Sequence, residues 1–411
     1  MDNFVETREI CVKGEYDVIV VGAGVAGIGA ALAAKRQGSS VLVIEKGIYM
    51  GGLATMGHVC LYLGLCDGYG RKAIGGIAEE LLHLSIKYGY NTLPEGWTMG
   101  ISKNPIPSCK RYETMFNVPA FVLALDELFE AEQIDILYDT VFCAPVIDDG
   151  RCTAIIVENK SGRMAYKCKA VVDASGDADV LFRAGAKCVE QKNMITYLCY
   201  DSTLEEMRRA VENGNIYQAV HWRELGCLPS TPKEIANQFG WYSASSGEDV
   251  SKGVKLSRKF ALDYLKKHLG PNYTMLSVPA MPLWRKTRRL EGVYTLHPED
   301  DHRYFEDSIG CTGDWRKAGP VFEIPYRALI TPDLKNVFAS GRNIASADDA
   351  WEVTRVIPPA AMTGEAAGTA AAILVQSGCD AQEISVPELQ NALEKSGVLI
   401  HWHHEQPSDE R

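Results

Sequence analysis

The apolar run YDVIVV, residues 16–21, leads straight into Gly22, Gly24 and Gly27 in the spacing G-x-G-x-x-G. No other feature restricts the fold of this 411-residue chain as tightly. A short run rich in Val and Ile reads as a buried parallel strand. The residues that follow, VAGIGAALAAKRQ at 25–37, have a helical pattern with Gly38 as a stop signal. SVLVIEK at 40–46 then returns to the strand pattern. Strand, glycine turn, helix and strand within roughly thirty residues make one βαβ unit, and parallel strands need such a crossover. The class is therefore α/β.

Glycines also mark ordinary tight turns, so the spacing counts only in this setting. Gly22 permits the turn, Gly24 lets a ligand approach the helix start, and Gly27 lets helix and strand pack closely. Glu45 closes the second strand, where a carboxylate can accept from both hydroxyls of a ribose. A dinucleotide with its diphosphate at the helix N-terminus satisfies all of these features. NAD and FAD both qualify on the first loop alone. KGIYMGGLAT at 46–55, with the paired Gly51 and Gly52 before Thr55, favours FAD, as does VVDASGDAD at 171–179 after a β-meander.

Further along, GGIAEELLHLSIKY near 75–88 and PAFVLALDELFEAE at 119–132 predict helices, with apolar residues three and four apart. From 134 the period changes to two through IDILYDTVFCAPVI, RCTAIIVEN and RMAYKCKAVVDAS, which predicts the meander. Residues 195–320 lack a clear repeat and read as a substrate-covering region. NVFAS at 336–340 and an Ala/Gly-rich helix near 358–376 return to the nucleotide-binding part. The expected division is 1–194 for the first part of the FAD-binding domain, 195–325 for a substrate or lid region, 326–380 for the domain's C-terminal part, and 381–411 for a tail helix.

The net charge of −11 argues against nucleic acid or an anionic membrane surface as partner. No leader pattern and no apolar run of about 18 residues is visible, so no membrane span is expected. Twelve cysteines without a C-x-x-C pair suit a reducing cytoplasm better than a disulfide scaffold.

DVIVVGAGVAGIGAALAAKRQG, VIEKGIYMGGLAT, VVDASGDAD and NVFASGRNIASADDAWEVTRVIPPAAMTGEAAGTAAA together resemble the FAD-dependent oxidoreductase family of the glutathione-reductase-type flavoproteins. The chain is similar to the branch whose last block ends in Gly-Gln-Ala-Ala-Gly, with Glu365 here at the Gln position, and LWRKTRRLEG at 283–292 matches the Arg-x-x-Arg-Arg of that branch. The resemblance implies a Rossmann-like FAD-binding domain with an inserted β-meander and a second substrate region. It puts the diphosphate on Gly22, Ala23, Gly24 and Gly27, with Ala26 beside them, and the ribose on Glu45 and Lys46. Gly51, Gly52, Ala54 and Thr55 would follow the ribityl chain and ring, and Val141 would offer its backbone to adenine. Ala174, Gly176 and Gly364 complete the implied cofactor set. Gly341 and Arg342 replace a Gly-Asp pair of wider relatives, and the helix opening at Pro358 and Pro359 would aim its N-terminus at the flavin pyrimidine edge.

A flavin carries the electron transfer, so the protein supplies orientation and charge near the ring. In MGHVCLYLGLC at 56–66, His58 and Tyr62 are the candidates for proton transfer, with hydrogen-bonded packing as the alternative role. Cys60 and Cys66 read as small buried hydrophobes; a redox disulfide or covalent flavin attachment is the alternative. Arg288 and Arg355 are the expected substrate anchors among the cluster Arg285, Arg288, Arg289, Arg342 and Arg355, since a guanidinium suits a carboxylate or a flavin carbonyl. Trp351 and Glu352 stand beside Arg355. No second G-x-G-x-x-G and no zinc spacing occurs, HWHH at 401–404 is weak as a metal site, and no metal is expected. The expected activity is hydride exchange between flavin N5 and a small polar metabolite. A hydratase or isomerase with non-redox FAD, or an electron-carrier module, remains open. So do the substrate, the electron donor or acceptor and the oligomeric state.

Overall fold

The computed structural model describes residues 4–89, 113–228 and 231–402. Its main sheet has seven strands. In chain order they are β1 (Cys11–Val21), β2 (Val41–Ile44), β3 (Asp135–Leu137), β4 (Val141–Asp148), β5 (Arg151–Asn159), β6 (Gly162–Asp173) and β7 (Val337–Ala339). β3, β2, β1, β6 and β7 are parallel, and β6, β5 and β4 form the antiparallel meander. Register Val20↔Val43 and Val20↔Val172 sets three buried Val side chains across the middle of the sheet. Strands buried on both faces read as continuous Val/Ile runs, which is why this part was visible in the sequence.

One expectation changes. IDILYDTVFCAPVI is two strands on opposite edges of the sheet: Asp135–Leu137 pairs in parallel with β2, and Val141–Asp148 pairs with β5. Asp139, at φ +48°, breaks the run between them. The break is fixed where Asp139 N donates to Gly47 O (3.0 Å) and Thr140 N to Glu45 O (3.0 Å).

Helix α1 (Val25–Arg36) follows β1, and α2 (Ile77–Ile86) and α3 (Val118–Glu132) follow later. Asn117 caps α3 through Ala120 N at 2.9 Å. The long C-terminal helix spans Ile357–Ser377 and crosses α1 at very short range. A Cβ on Gly364 would stand 2.0 Å from Ala26 O, so only glycine lets the two backbones approach this closely. This helix is buried on nearly every side, which explains an Ala/Gly composition without an amphipathic stripe. A final helix covers Val386–Lys395.

A second, three-stranded sheet joins Thr196–Thr203, His221–Gly226 and Tyr273–Ser277, backed by the helix Gly247–Lys267. Its small apolar cluster gathers Tyr197, Cys199 and Ala261, whereas the side chains of Leu290, Leu296, Ile309 and Val321 belong to the main core. The second sheet is bonded to the loop after Gly51–Gly52: Ala280 N and Met281 N donate to Met56 O at 2.8 and 3.0 Å, and Trp222 Nε1 donates to His58 O at 2.8 Å. No helix among the described residues is long and apolar enough to cross a membrane.

Glu365 lies within the long helix, 1% exposed. Its Oε2 accepts from Ile77 N at the start of α2 (2.7 Å), and its Oε1 accepts from Ser396 Oγ (2.5 Å). Burial outweighs these bonds and pushes the carboxyl up to about 7. Because the folded form then holds its proton more tightly than the unfolded chain, stability contributed here falls as pH rises from about 4.5 to about 7. Glu365→Gln is expected to match the parent near pH 5 and to exceed it at pH 8 by of order 1–3 kcal/mol in urea unfolding. Equal pH dependence in both proteins would contradict this.

Candidate functional site

The carboxyl ends of β1 and β2, the two glycine loops, the start of α1 and the start of the long C-terminal helix enclose one elongated cleft. It holds about 1330 Å³ of free space counted out to its mouth. Such a crevice beyond the strand ends is where open parallel sheets bind ligands.

Gly22, at φ +102°, makes the turn out of β1, and a Cβ there would stand 2.5 Å from Ala174 O. On Gly27 a Cβ would come within 1.8 Å of Gly22 O. Gly24 differs, because a Cβ there would meet none of the described residues beyond its own chain neighbours within 4 Å and would project into open space. Gly24 is the N-cap of α1, with no side-chain cap and no acidic residue in the first turn. The amides of α1 therefore reach the cleft unsatisfied, and the residue that faces them has been kept free of a side chain. Gly51 N donates to Ala23 O (2.8 Å), and Gly52 packs so that its Cβ would lie 3.0 Å from Gly24 Cα. The paired-glycine loop is thus laid directly on the first.

At one end of the cleft Glu45 is 3% exposed. Its Oε2 accepts from Ala23 N (2.7 Å) and its Oε1 from Gly47 N (2.6 Å). Each oxygen keeps lone-pair capacity for a hydroxyl, which suits a ribose diol. Lys46, Thr140, Val141, Phe142 and Asp179 complete that end. Ala26, Ala54, Ala174 and Gly176 line the cleft as well. Ala23, Gly27, Thr55, Gly341, Pro359 and Gly364 are not in its lining and support it from beneath. Thr55 Oγ1, for example, donates to Met50 O at 2.5 Å and closes its own loop, and Gly341 N donates to Thr363 Oγ1 at 2.9 Å.

Val59, Leu61, Leu63, Met281 and Leu283 wall the other end, together with Arg285, Arg342 and Arg355 and the uncapped helix start at Val356, Ile357 and Ala360. Arg342 Nη2 pairs with Asp177 (2.6 Å), and its Nε donates to Gly176 O (2.6 Å). Arg355 Nε donates to Glu352 (2.7 Å), and Lys286 Nζ reaches the same carboxylate at 2.7 Å. Burial raises the Glu352 carboxyl, but Arg355 and Lys286 outweigh it and bring it down to about 2.

The extended segment alternates, so its odd residues face the cleft and its even ones face away. Tyr62 therefore lies behind the wall, and His58, whose backbone is not extended, is likewise outside the cleft lining. Tyr62 Oη donates to Ala78 O (2.5 Å). His58 holds a left-handed φ of +56°, and its ring lies 5.3 Å from that of Tyr200. Among the described residues its Nδ1 has no hydrogen-bond partner, and burial lowers its pKa. Arg288 is also off the cleft, tied to Glu190 (3.1 Å) and lying 3.9 Å over the Phe182 ring. Cys60 and Cys66 are both buried, and neither is in a disulfide among the described residues. Among the described residues no three His, Cys, Asp or Glu side chains gather to hold a metal ion; His403 and His404 of the HWHH run lie outside them. The sequence reading missed Met281 and Leu283, which lie in a stretch without regular structure and so carry no periodic signal.

A family profile described as FAD dependent oxidoreductase matches residues 17–258 and 245–393. A thioredoxin reductase of Ureaplasma parvum is 35% identical over 80 residues, 20% of this chain and 26% of that protein. The tRNA uridine 5-carboxymethylaminomethyl modification enzyme MnmG of Bacillus subtilis is 26% identical over 164 residues, 40% of this chain and 24% of that one. The chain thus spans about a quarter of the length of each of these curated relatives. Among solved structures, p-nitrophenol 4-monooxygenase PnpA from Pseudomonas putida DLL-E4 superposes over 93% of this chain and 84% of its own, at 10% identity and a TM-score of 0.47.

Proposed function

The chain belongs to the FAD-dependent oxidoreductase family, and from that premise we propose that it exchanges a hydride with a small polar metabolite held against the arginine-lined end of the cleft. FAD is the cofactor, and when bound it supplies two-electron chemistry. The observation that carries the reading is the pairing of two uncapped helix starts with open space at Gly24 in one cleft, a combination suited to a dinucleotide diphosphate at one helix and negative charge at the other. Glu45 would hold the ribose. Val59, Leu61 and Leu63 would exclude water from one side of the reacting end, and Met281 and Leu283 would do so on the segment that joins the second sheet. Arg355 would orient the substrate, its guanidinium held in place by Glu352.

The test is anaerobic addition of candidate metabolites, read as bleaching of the visible flavin absorbance. Turnover with an unchanged spectrum would favour a non-redox role for FAD instead. Arg355→Ala is expected to retain FAD and to lose about 10²-fold in turnover; unchanged turnover would remove Arg355 from the chemistry.

A further inference from the structure

We infer that the ligand of this cleft is a small carboxylate and that Arg285 holds its charge. The inference rests on the flavoenzyme reading above and names its substrate class. Three guanidiniums line the same end of the cleft, and two of them already have carboxylate partners. Arg285 has none within ion-pair distance among the described residues. Its Nη1 donates to the neutral Thr196 Oγ1 (2.5 Å), and Asn193 Oδ1 accepts from its backbone N (3.0 Å).

A half-buried cation without a counter-ion is costly, and a like charge nearby adds to the cost. Both conditions hold here: burial first, and then the charge of Arg355, outweigh the nearby but unbonded Glu352 and Glu224 and bring the guanidinium down to about 10. Among the described residues the four cations Arg285, Lys286, Arg342 and Arg355 have two bonded carboxylates, Asp177 and Glu352, so bonded charge is in positive surplus. An anion at Arg285 removes that imbalance.

The FAD diphosphate is already served by the amides at Gly24 and does not need this group. Thr196 belongs to the second sheet, so Arg285 is held by that sheet and not by the dinucleotide loops. Its neighbours in the lining, Met281, Leu283, Leu61 and Leu63, are apolar. Such walls admit one charged head group on a compact body. The planar fork of a guanidinium matches the two oxygens of a carboxylate, whereas a phosphate dianion would ask for further donors, and Arg342 and Arg355 at the same end already bond Asp177, Gly176 O and Glu352.

The experiment uses the FAD-loaded full chain and titrates acetate, benzoate and succinate, their amides, and methyl phosphate. Binding is followed by perturbation of the flavin spectrum and by calorimetry, which does not depend on flavin colour. Saturable binding of a carboxylate but not its amide is expected. In Arg285→Gln the dissociation constant should rise at least about 30-fold with FAD content and melting temperature unchanged. Arg285→Lys should fall between the two. Equal affinity for amides, preference for methyl phosphate, wild-type affinity in Arg285→Gln, or loss of FAD in both variants would each overturn the inference. Failure of the parent chain to bind FAD sinks the flavoenzyme reading. A flavin-loaded chain blind to carboxylates sinks only this one.

Discussion

A Gly24→Val protein is expected to fold and to stay colourless when FAD is added. Gly24 has φ −66° and ψ 174°, a conformation open to any residue, so valine brings no backbone strain. A Cβ at this position would meet none of the described residues beyond its own chain neighbours within 4 Å. The apo fold therefore has no reason to object. The added branches instead occupy the space in front of the α1 amides, where the diphosphate has to sit. A rise of at least about 10²-fold in the FAD dissociation constant, some 2.7 kcal/mol, is expected. Calorimetry against FAD and a melt of the apo protein check both halves. A yellow Gly24→Val protein with full flavin content would mean that the diphosphate lies elsewhere.

The opposite outcome is expected at Gly364. Alanine is intrinsically better than glycine in a helix interior by about 1 kcal/mol, so propensity alone predicts a gain. The new methyl, however, would stand 2.0 Å from Ala26 O, a backbone atom in the middle of α1. One of the two helices must shift, which would also disturb Gly29 and Gly368, where a Cβ would stand 2.4 Å from Ala361 O and 2.1 Å from Ala30 O. Overpacking of a close-packed interface costs about 1–3 kcal/mol even where side chains can yield, and here the obstacle is main chain. Gly364→Ala should lose about 2 kcal/mol or more net, in apo and loaded protein alike, as measured by urea unfolding. A more stable variant would show that the crossing of the two helices is looser than described.

These two glycines also mark how far the residues alone could be read. The βαβ unit was legible because strand and helix there differ in period and the glycines punctuate them. What G-x-G-x-x-G does not reveal is which glycine faces ligand and which faces protein, since that depends on distances across the fold. The register of residues 56–66 was equally hidden. Val59, Leu61 and Leu63 are apolar, but so are Cys60 and much of Tyr62, and without a polar face the alternation has no visible phase. The polar side chains were therefore the natural candidates for the flavin-facing role, although they lie outside the cleft lining. Arg288 and Arg285 present the same difficulty: three positions apart in one basic run, they differ in that one is paired with Glu190 and Asp179 and the other has no bonded carboxylate among the described residues. Only tertiary structure brings those partners together.

The bonds from Ala280, Met281 and Trp222 to the main chain of Met56 and His58 have a consequence for how the cleft is entered. They rivet roof to floor at the very strip of backbone that continues from the paired glycines. Tugging the roof open would drag on the cofactor's cradle, so passage in and out is better served by the end of the slot than by a swinging hatch, and a tightly held coenzyme would brace the ceiling above it.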